Sequence, residues 1–261
     1  MEDLVMAALG GNDARIHELL AAGMEPDVAD GNGWTALVSA AGRGHGAIVD
    51  RLLLAGVDVD RADIKGNTAL MRAAAGGHLG IARRLLEAKA AIDHADARGR
   101  TALMQAVDNR RAEMVELLLM AGANANWVDR RGKTPLMSAA LGGDRRIVDL
   151  LLNAGANVHK VDANGWTALI CSAAGDVSVV KKLLEANPDS SHVAKDGTTA
   201  LKRASASDHG NVVELLEADL RLRAELGCRA DDHTVSDPQP WELPQACNAF
   251  SVGPRPWRIT R

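Results

Sequence analysis

Aromatic residues are scarce in this chain of 261 residues. They make up 2% of it, with one phenylalanine, five tryptophans and no tyrosine. Hydrophobic residues nevertheless account for 47% of the sequence, which is enough to bury a core of substantial size. That core has to be built from alanine, leucine, valine, isoleucine and methionine. Side chains of this kind suit thin aliphatic layers.

The sequence also lacks a strong charge of either sign. Thirty lysines and arginines stand against thirty-four aspartates and glutamates, which gives a formal net charge of -4. This balance argues against a general electrostatic affinity for nucleic acids or anionic membranes. It still leaves room for a local basic patch.

Cysteines are few, and no pair of them has metal-ligand spacing. The three residues Cys171, Cys228 and Cys247 form no Cys-x-x-Cys motif, so neither a disulfide framework nor a zinc site is indicated. No basic stretch leads into an apolar segment near the N-terminus, and no apolar run approaches the roughly 20 residues that a bilayer requires. We therefore expect a soluble protein in a reducing, intracellular compartment, the cytoplasm.

In place of these features the sequence has a repeat of 33 residues. A glycine returns at this spacing five times, at Gly33, Gly66, Gly99, Gly132 and Gly165. Each glycine follows an aspartate by three positions and precedes a threonine by two, and the unit reads Asp-x-x-Gly-x-Thr-Ala-Leu, with Pro135 replacing one alanine. A spacing that holds five times indicates a stack of structural repeats. We call the turn from the aspartate to the threonine of each unit a finger.

Two short apolar-periodic segments follow each finger, as in residues 134–141 and 145–152, with glycines between them. The pattern predicts a helix, a tight turn and a second helix in each unit. Glycine supplies the positive φ of the finger, and the threonine caps backbone N–H groups at the start of the first helix. Leucine pairs such as Leu117-Leu118 in the second helix can contact both neighbouring units, so the units have to stack. The fold class we predict is an all-α repeat solenoid.

The order Gly-x-Thr-Ala-Leu, Ala-Ala, Gly-His and Ile-Val-x-x-Leu-Leu-x-x-Gly-Ala is similar to the ankyrin repeat, and the resemblance covers residues 1–217. It implies helix-turn-helix units with β-turn fingers. The sequence departs from the family pattern in that only Pro135 keeps the proline of Thr-Pro-Leu-His. Apolar residues also replace the histidine of that motif, at Val38, Met71, Met104, Met137 and Ile170. These replacements exchange a polar helix-start contact for apolar packing.

The period and the resemblance together predict how the chain is organised. We expect an N-terminal capping half-repeat at residues 1–29, five full repeats at residues 30–62, 63–95, 96–128, 129–161 and 162–194, a degenerate C-terminal capping repeat at residues 195–227, and a disordered tail at residues 228–261. The tail holds five of the eight prolines and no apolar periodicity. Its Trp241 and Trp257 leave open a short docking motif as the alternative to an incidental tail.

Residues that would carry catalysis form no recognisable set. The sequence has no H-E-x-x-H, G-x-S-x-G or Walker-type motif, and no G-x-G-x-x-G in the strand-to-helix context that it requires. His45 and His78 occupy the same repeat position, which favours a helix-start role over a ligand role. Cys171 lies among apolar residues, which favours a packed thiol over a nucleophile. We therefore expect no enzyme activity and no catalytic, cofactor-binding or metal-binding residues.

In proteins that resemble ankyrin repeats, the finger tips and the exposed side of each first helix form a concave recognition surface. Here the variable positions of that surface are basic in the middle of the stack and carry tryptophan towards both ends. The partner-binding residues that we predict are Trp34, Lys65, Arg72, Arg98, Arg100, Arg130, Arg131, Lys133 and Trp166. We call the seven cations among them the cationic strip. Two alternatives stay open: solvated finger tips partly neutralised by the finger aspartates, and tryptophans packed on neighbouring fingers.

These features favour a monomeric, non-enzymatic adaptor or scaffold whose cationic strip receives an acidic or phosphorylated segment of a protein partner, with the tryptophans as flanking anchors. One alternative is nucleic-acid binding through the same strip. Net charge and the lack of aromatics interleaved with the cations disfavour it. Another alternative is a regulatory or targeting arm of a larger enzyme or effector.

Overall fold

A computed structural model describes residues 4–225, which form helices and no β-strand. The helices are α1 (Leu4–Leu9), α2 (Asp13–Ala21), α3 (Ala36–Arg43), α4 (Gly46–Leu54), α5 (Ala69–Gly76), α6 (Leu79–Glu87), α7 (Ala102–Asp108), α8 (Ala112–Met120), α9 (Pro135–Gly142), α10 (Arg145–Asn153), α11 (Ala168–Ser172), α12 (Val177–Glu185), α13 (Ala200–Ala206) and α14 (Gly210–Glu225). The tail predicted at residues 228–261 lies outside the described residues.

The helices stack in two layers. The odd-numbered helices α1 to α13 pack side by side in one layer, and the even-numbered helices α2 to α14 pack side by side in the other. Each odd-numbered helix also packs against the even-numbered helix that follows it. This arrangement confirms the predicted all-α repeat solenoid.

The core runs through the stack as one continuous apolar cluster. The residues that replace the family's histidine are all buried: Val38, Met71, Met104, Met137 and Ile170 are at most 2% exposed, and all of them except Met104 belong to this cluster. Alanines of the first helices, such as Ala73 and Ala106, are fully buried and let neighbouring helices approach closely. Small and flexible aliphatic side chains therefore fill the thin layer that the shortage of aromatics predicts.

Each first helix from α3 onward begins at a capping threonine. The threonine hydroxyl accepts a hydrogen bond from the backbone N–H three residues later at Thr35, Thr68, Thr101, Thr134, Thr167 and Thr199. An N-cap of this kind stabilises a helix by about 1 kcal/mol.

Within residues 4–225, no helix combines the length and the apolar composition that crossing a membrane requires.

Candidate partner-binding surface

Each finger is closed by its aspartate. The Asp63 carboxylate accepts hydrogen bonds from the backbone N–H of Lys65 at 2.9 Å and of Asn67 at 2.8 Å. Asp30, Asp96, Asp129 and Asp162 accept the equivalent two bonds in their own fingers. These hydrogen bonds to the carboxylate stabilise the turn and so orient the residues at its variable positions.

A ladder of backbone hydrogen bonds joins the fingers to one another. Its rungs run from Ile64 N to Asn32 O, from Ala97 N to Lys65 O, from Arg130 N to Arg98 O, from Ala163 N to Arg131 O and from Lys195 N to Asn164 O, with lengths between 2.7 and 3.1 Å. These rungs use main-chain atoms alone, so they fix the fingers side by side whatever side chains stand at the tips.

Glycine is required where the fingers approach. Gly99 has a φ of +79°, and a Cβ at this position would lie 2.9 Å from the backbone nitrogen of Arg130. Any other residue would both strain the backbone and push the next finger away. The repeated glycine therefore serves the close spacing of the fingers as well as the turn.

Arg72 is engaged within the fold. Its Nη2 lies 2.8 Å from Oδ2 of Asp63, which is only 5% exposed, and its guanidinium carbon lies 4.5 Å from the centroid of the Trp34 ring. Burial on its own would raise the pKa of Asp63, but hydrogen bonds from the Asn67 and Lys65 backbone, the Arg72 guanidinium and the Asn67 amide outweigh burial and lower that pKa. Asp63 is thus held as a carboxylate that forms an ion pair with Arg72.

Arg100 is engaged in a similar way. Its Nε lies 3.3 Å from Asp96, and its Nη1 lies 3.3 Å from Asp108. Arg72 and Arg100 therefore belong to the supporting framework of the surface, although the sequence presents them as two more cations of the strip.

The other five cations of the strip have no ion pair with any residue between 4 and 225: Lys65, Arg98, Arg130, Arg131 and Lys133. All of them except the half-buried Lys133 are exposed. Lys133 lines an open groove of about 200 Å³ between α7 and α9, together with Asp108, Arg110 and the half-exposed Leu141. We call Lys65, Arg98, Arg130 and Arg131 the free cations. They stand on three adjacent fingers that the backbone ladder holds in register.

The two tryptophans of the predicted site are each covered on one face by an arginine. Trp34 lies under Arg72, and Trp166 lies under Arg203, whose guanidinium carbon is 4.4 Å from the ring centroid. Arg203 was not among the predicted residues. A sequence signal for it exists, because Arg203 follows its capping threonine by four positions, just as Arg72 does. Both rings are partly buried against the core.

The two arginine–tryptophan pairs differ in one respect. The position equivalent to Asp63 is Ala194 in the unit of Arg203. The carboxylate of that finger belongs to Asp196, which interacts with the Trp166 side chain. Arg203 has no ion pair among the described residues, and its Nη1 is buried without a hydrogen-bond partner. Within the described residues, the difference between the pairs is therefore the ion pair of Arg72, because each guanidinium has one buried nitrogen without a hydrogen-bond partner, Nε in Arg72 and Nη1 in Arg203.

Trp127 is a further residue that sequence reasoning missed. Its indole Nε1–H donates a hydrogen bond of 2.8 Å to the carbonyl oxygen of Gly99, at the tip of the finger that carries Arg98. His192, at the equivalent position two units later, places Nε2 2.9 Å from the carbonyl oxygen of Gly165. Side chains of two different types thus make the same contact with a finger glycine. Because the residue type differs between units, no repeated motif in the sequence indicates this contact.

The histidines and the cysteine that could have suggested chemistry have structural surroundings. His45 and His78 stand at the starts of α4 and α6, and His78 Nε2 lies 3.3 Å from the carbonyl oxygen of Gly42 in the preceding unit. Cys171 is 6% exposed, and burial raises the pKa of its thiol to about 11. A thiol in this state is a poor nucleophile at neutral pH. Between residues 4 and 225 no group of three or more His, Cys, Asp or Glu side chains is placed to hold a metal ion.

Comparison with known proteins agrees with the geometry. The family model described as ankyrin repeats (3 copies) matches residues 4–96, 88–162 and 136–224. Among solved structures, the chain is similar to the ankyrin repeat domain of Bcl-3, described as a unique member of the IkappaB protein family. The TM-score is 0.70 at 29% sequence identity, over 82% of this chain and 97% of that one. The search of curated proteins found no match.

Proposed function

This chain belongs to the ankyrin repeat family, and we propose that it is a cytoplasmic, monomeric adaptor or scaffold that binds an acidic or phosphorylated segment of a protein partner on its fingers. The family's fold is typical of non-enzymatic protein-interaction modules. The solved ankyrin domain of an IkappaB protein, which aligns over most of this chain, supports that general role. The choice of partner chemistry rests on the free cations.

The observation that carries the proposal is the absence of internal partners for the free cations. Lys65, Arg98, Arg130 and Arg131 are exposed and form no ion pair within residues 4–225, in a chain whose net charge is -4. Arginine presents a planar fork of donors that matches carboxylate and phosphate oxygens. A negatively charged segment laid across the three fingers would find these donors unoccupied.

The rigid spacing of the fingers favours binding as well. The backbone ladder and the Trp127 contact hold the finger of Arg98 before any partner arrives. A surface that is already ordered loses less conformational entropy on binding. Lys133 adds a fifth cation, which lines the open groove between α7 and α9.

The predicted site residues that already have partners within the fold have a supporting role in this proposal. Arg72 and Arg100 orient the surface through Asp63 and Asp96 and contribute little free charge. Trp34 and Trp166, each held in one orientation by an arginine, offer fixed aromatic edges near the two ends of the surface. We keep both tryptophans as flanking contacts, since large rigid side chains of this kind are enriched at binding hot spots.

Affinity capture from lysate tests the proposal with a matched pair of variants. The strip variant is K65E/R98E/R130E/R131E. The control variant is R43E/R83E/K160E/K181E, which reverses four cations that are also exposed and have no ion pair within the described range. We expect wild type and control variant to capture the same proteins, and the strip variant to lose a subset of them.

Two treatments of the lysate identify the chemistry of that subset. Loss of capture after phosphatase treatment indicates a phosphorylated segment, whereas retention indicates carboxylates. Loss of capture after nuclease treatment would show that the surface binds nucleic acid and would overturn the proposal. Identical captures by all three proteins would also overturn it.

A further inference from the structure

The residues beyond α14 include a run that carries negative charge alone. From residue 230 to residue 254 the sequence has no lysine and no arginine, while Asp231, Asp232, Asp237 and Glu242 are acidic. Trp241 stands next to the last of these. We call residues 231–242 the acidic segment. Its charge is opposite to that of the free cations, and its chemistry is that of the partner proposed above.

We propose that the acidic segment binds the free cations of its own chain and competes with the protein partner for them. This inference rests on the proposed function, because it assigns a regulator to the same surface. The segment brings four carboxylates to four cations that no residue between 4 and 225 neutralises. A tethered ligand of this kind has an effective concentration on the order of millimolar, so a weak contact is enough to hold it.

The repeat geometry shows where the chain leaves the stack. In four successive units the second helix ends nine residues before the aspartate of the next finger: Leu54 before Asp63, Glu87 before Asp96, Met120 before Asp129 and Asn153 before Asp162. The C-terminal ends of the second helices therefore lie at the finger end of the stack. The last of them, α14, packs against α12 and α13 and is described to Glu225. Because α14 has 16 residues and these four helices have nine each, Glu225 lies about two turns beyond the level at which they end, in the same direction.

The length of chain available is sufficient. An extended chain advances about 3.3 Å per residue, so Asp237 can reach up to about 40 Å from Glu225, and Glu242 up to about 56 Å. Packed helices lie about 10 Å apart, which puts Arg130 and Arg131 about 20 Å along the stack from the finger of Asp196, and Arg98 about 30 Å from it. The extended reach to Glu242 therefore exceeds the distance along the stack from this last finger, at residues 194–199, to the fingers of Arg98, Arg130 and Arg131.

Paramagnetic labelling of the full chain tests this contact directly. Cys247 lies five residues after Glu242 and takes a nitroxide in a C228S background, because Cys171 is 6% exposed. We expect the label to broaden the amide resonances of residues 97–99 and 130–132 and to leave residues 42–45, at the turn between α3 and α4, sharp. The broadening should decrease at high salt, since exposed charges are screened.

Variants with neutral side chains test whether the acidic residues cause the broadening. D231N/D232N/D237N/E242Q should abolish the broadening, whereas R229Q/R255Q/R258Q, which removes three nearby cations, should preserve it. Broadening that is absent from the wild type, or unchanged in the acidic-residue variant, would overturn the inference.

A competition experiment gives a second reading. A fluorescent peptide of residues 230–244 should bind the D231N/D232N/D237N/E242Q chain about two- to tenfold more tightly than the wild type, because the internal competitor is gone. Equal affinities would contradict the inference. Failure of the inference is separable from failure of the proposed function. Strip-dependent capture without label broadening rejects the inference alone. Broadening with strip-independent capture rejects the proposed function and with it the competition, and leaves the contact within the chain.

Discussion

The backbone N–H of Arg130 donates a hydrogen bond of 3.0 Å to the carbonyl oxygen of Arg98. This bond ties two neighbouring fingers together through main-chain atoms that every residue except proline possesses, and it leaves both arginines exposed. The main chain thus sets where the two residues lie, and their side chains determine the charge at those positions. Changes to the side chains and changes to the main chain should therefore have separable effects.

Substitutions at Gly99 and Arg98 test that separation. G99A should lower the free energy of unfolding by about 1–3 kcal/mol, because alanine at a φ of +79° is strained and its Cβ meets the backbone of Arg130. R98A should change the same quantity by less than about 0.5 kcal/mol, as expected for an exposed side chain without partners. Urea unfolding measures both. Equal losses in the two variants would contradict the assignment of finger spacing to the main chain.

The two arginine–tryptophan pairs should differ in what they contribute to stability. R72A removes the ion-pair partner of a buried carboxylate and should cost about 2–3 kcal/mol. R203A should cost about 1 kcal/mol less, because Arg203 has no ion pair within the described range. Double-mutant cycles with W34A and W166A should give similar couplings of about 1 kcal/mol, reporting the stacking alone. If R203A proved as damaging as R72A, the role given to Asp63 would be wrong.

Acid should remove the contribution of Asp63. Its pKa in the folded chain is lower than the ordinary value of 3.8, so its stabilising effect is present above that value and is lost as the pH falls through the lowered pKa. Wild type should exceed D63N by about 2 kcal/mol in free energy of unfolding near neutral pH. The difference should shrink below about pH 4. Chemical denaturation at a series of pH values measures it, and a difference that stays constant down to pH 2.5 would exclude the proposed charge.

The regular part of the molecule could be predicted from the sequence because local chemistry repeats there. The capping threonines and the finger aspartates act on atoms within four residues of themselves, and the glycines at spacing 33 supply the positive φ of their own turns. The replacement of the family's histidine by residues such as Met104 predicted apolar packing, and Met104 is 2% exposed. Period and residue type were sufficient for these features.

The division of the cationic strip could not be predicted in the same way. Arg72 and Arg98 are both arginines at variable positions, yet one lies between Asp63 and Trp34 and the other has no partner in residues 4–225. The ring that Arg72 covers belongs to the preceding unit, 38 positions away. Trp127 meets the carbonyl oxygen of Gly99, which lies 28 residues away within the same unit. Contacts between residues so far apart in the sequence depend on how the fingers and helices pack, and a repeat period alone does not specify which side chains then meet.

The central claim is that the free cations bind a negatively charged protein segment, and one affinity measurement tests it most directly. The segment identified by capture would be labelled and titrated by fluorescence anisotropy with wild type, the strip variant K65E/R98E/R130E/R131E and the control variant R43E/R83E/K160E/K181E. We predict that binding weakens about tenfold or more in the strip variant and less than about twofold in the control variant, since opposed charges at an interface favour association and like charges oppose it. Equal affinities for all three proteins would contradict the account.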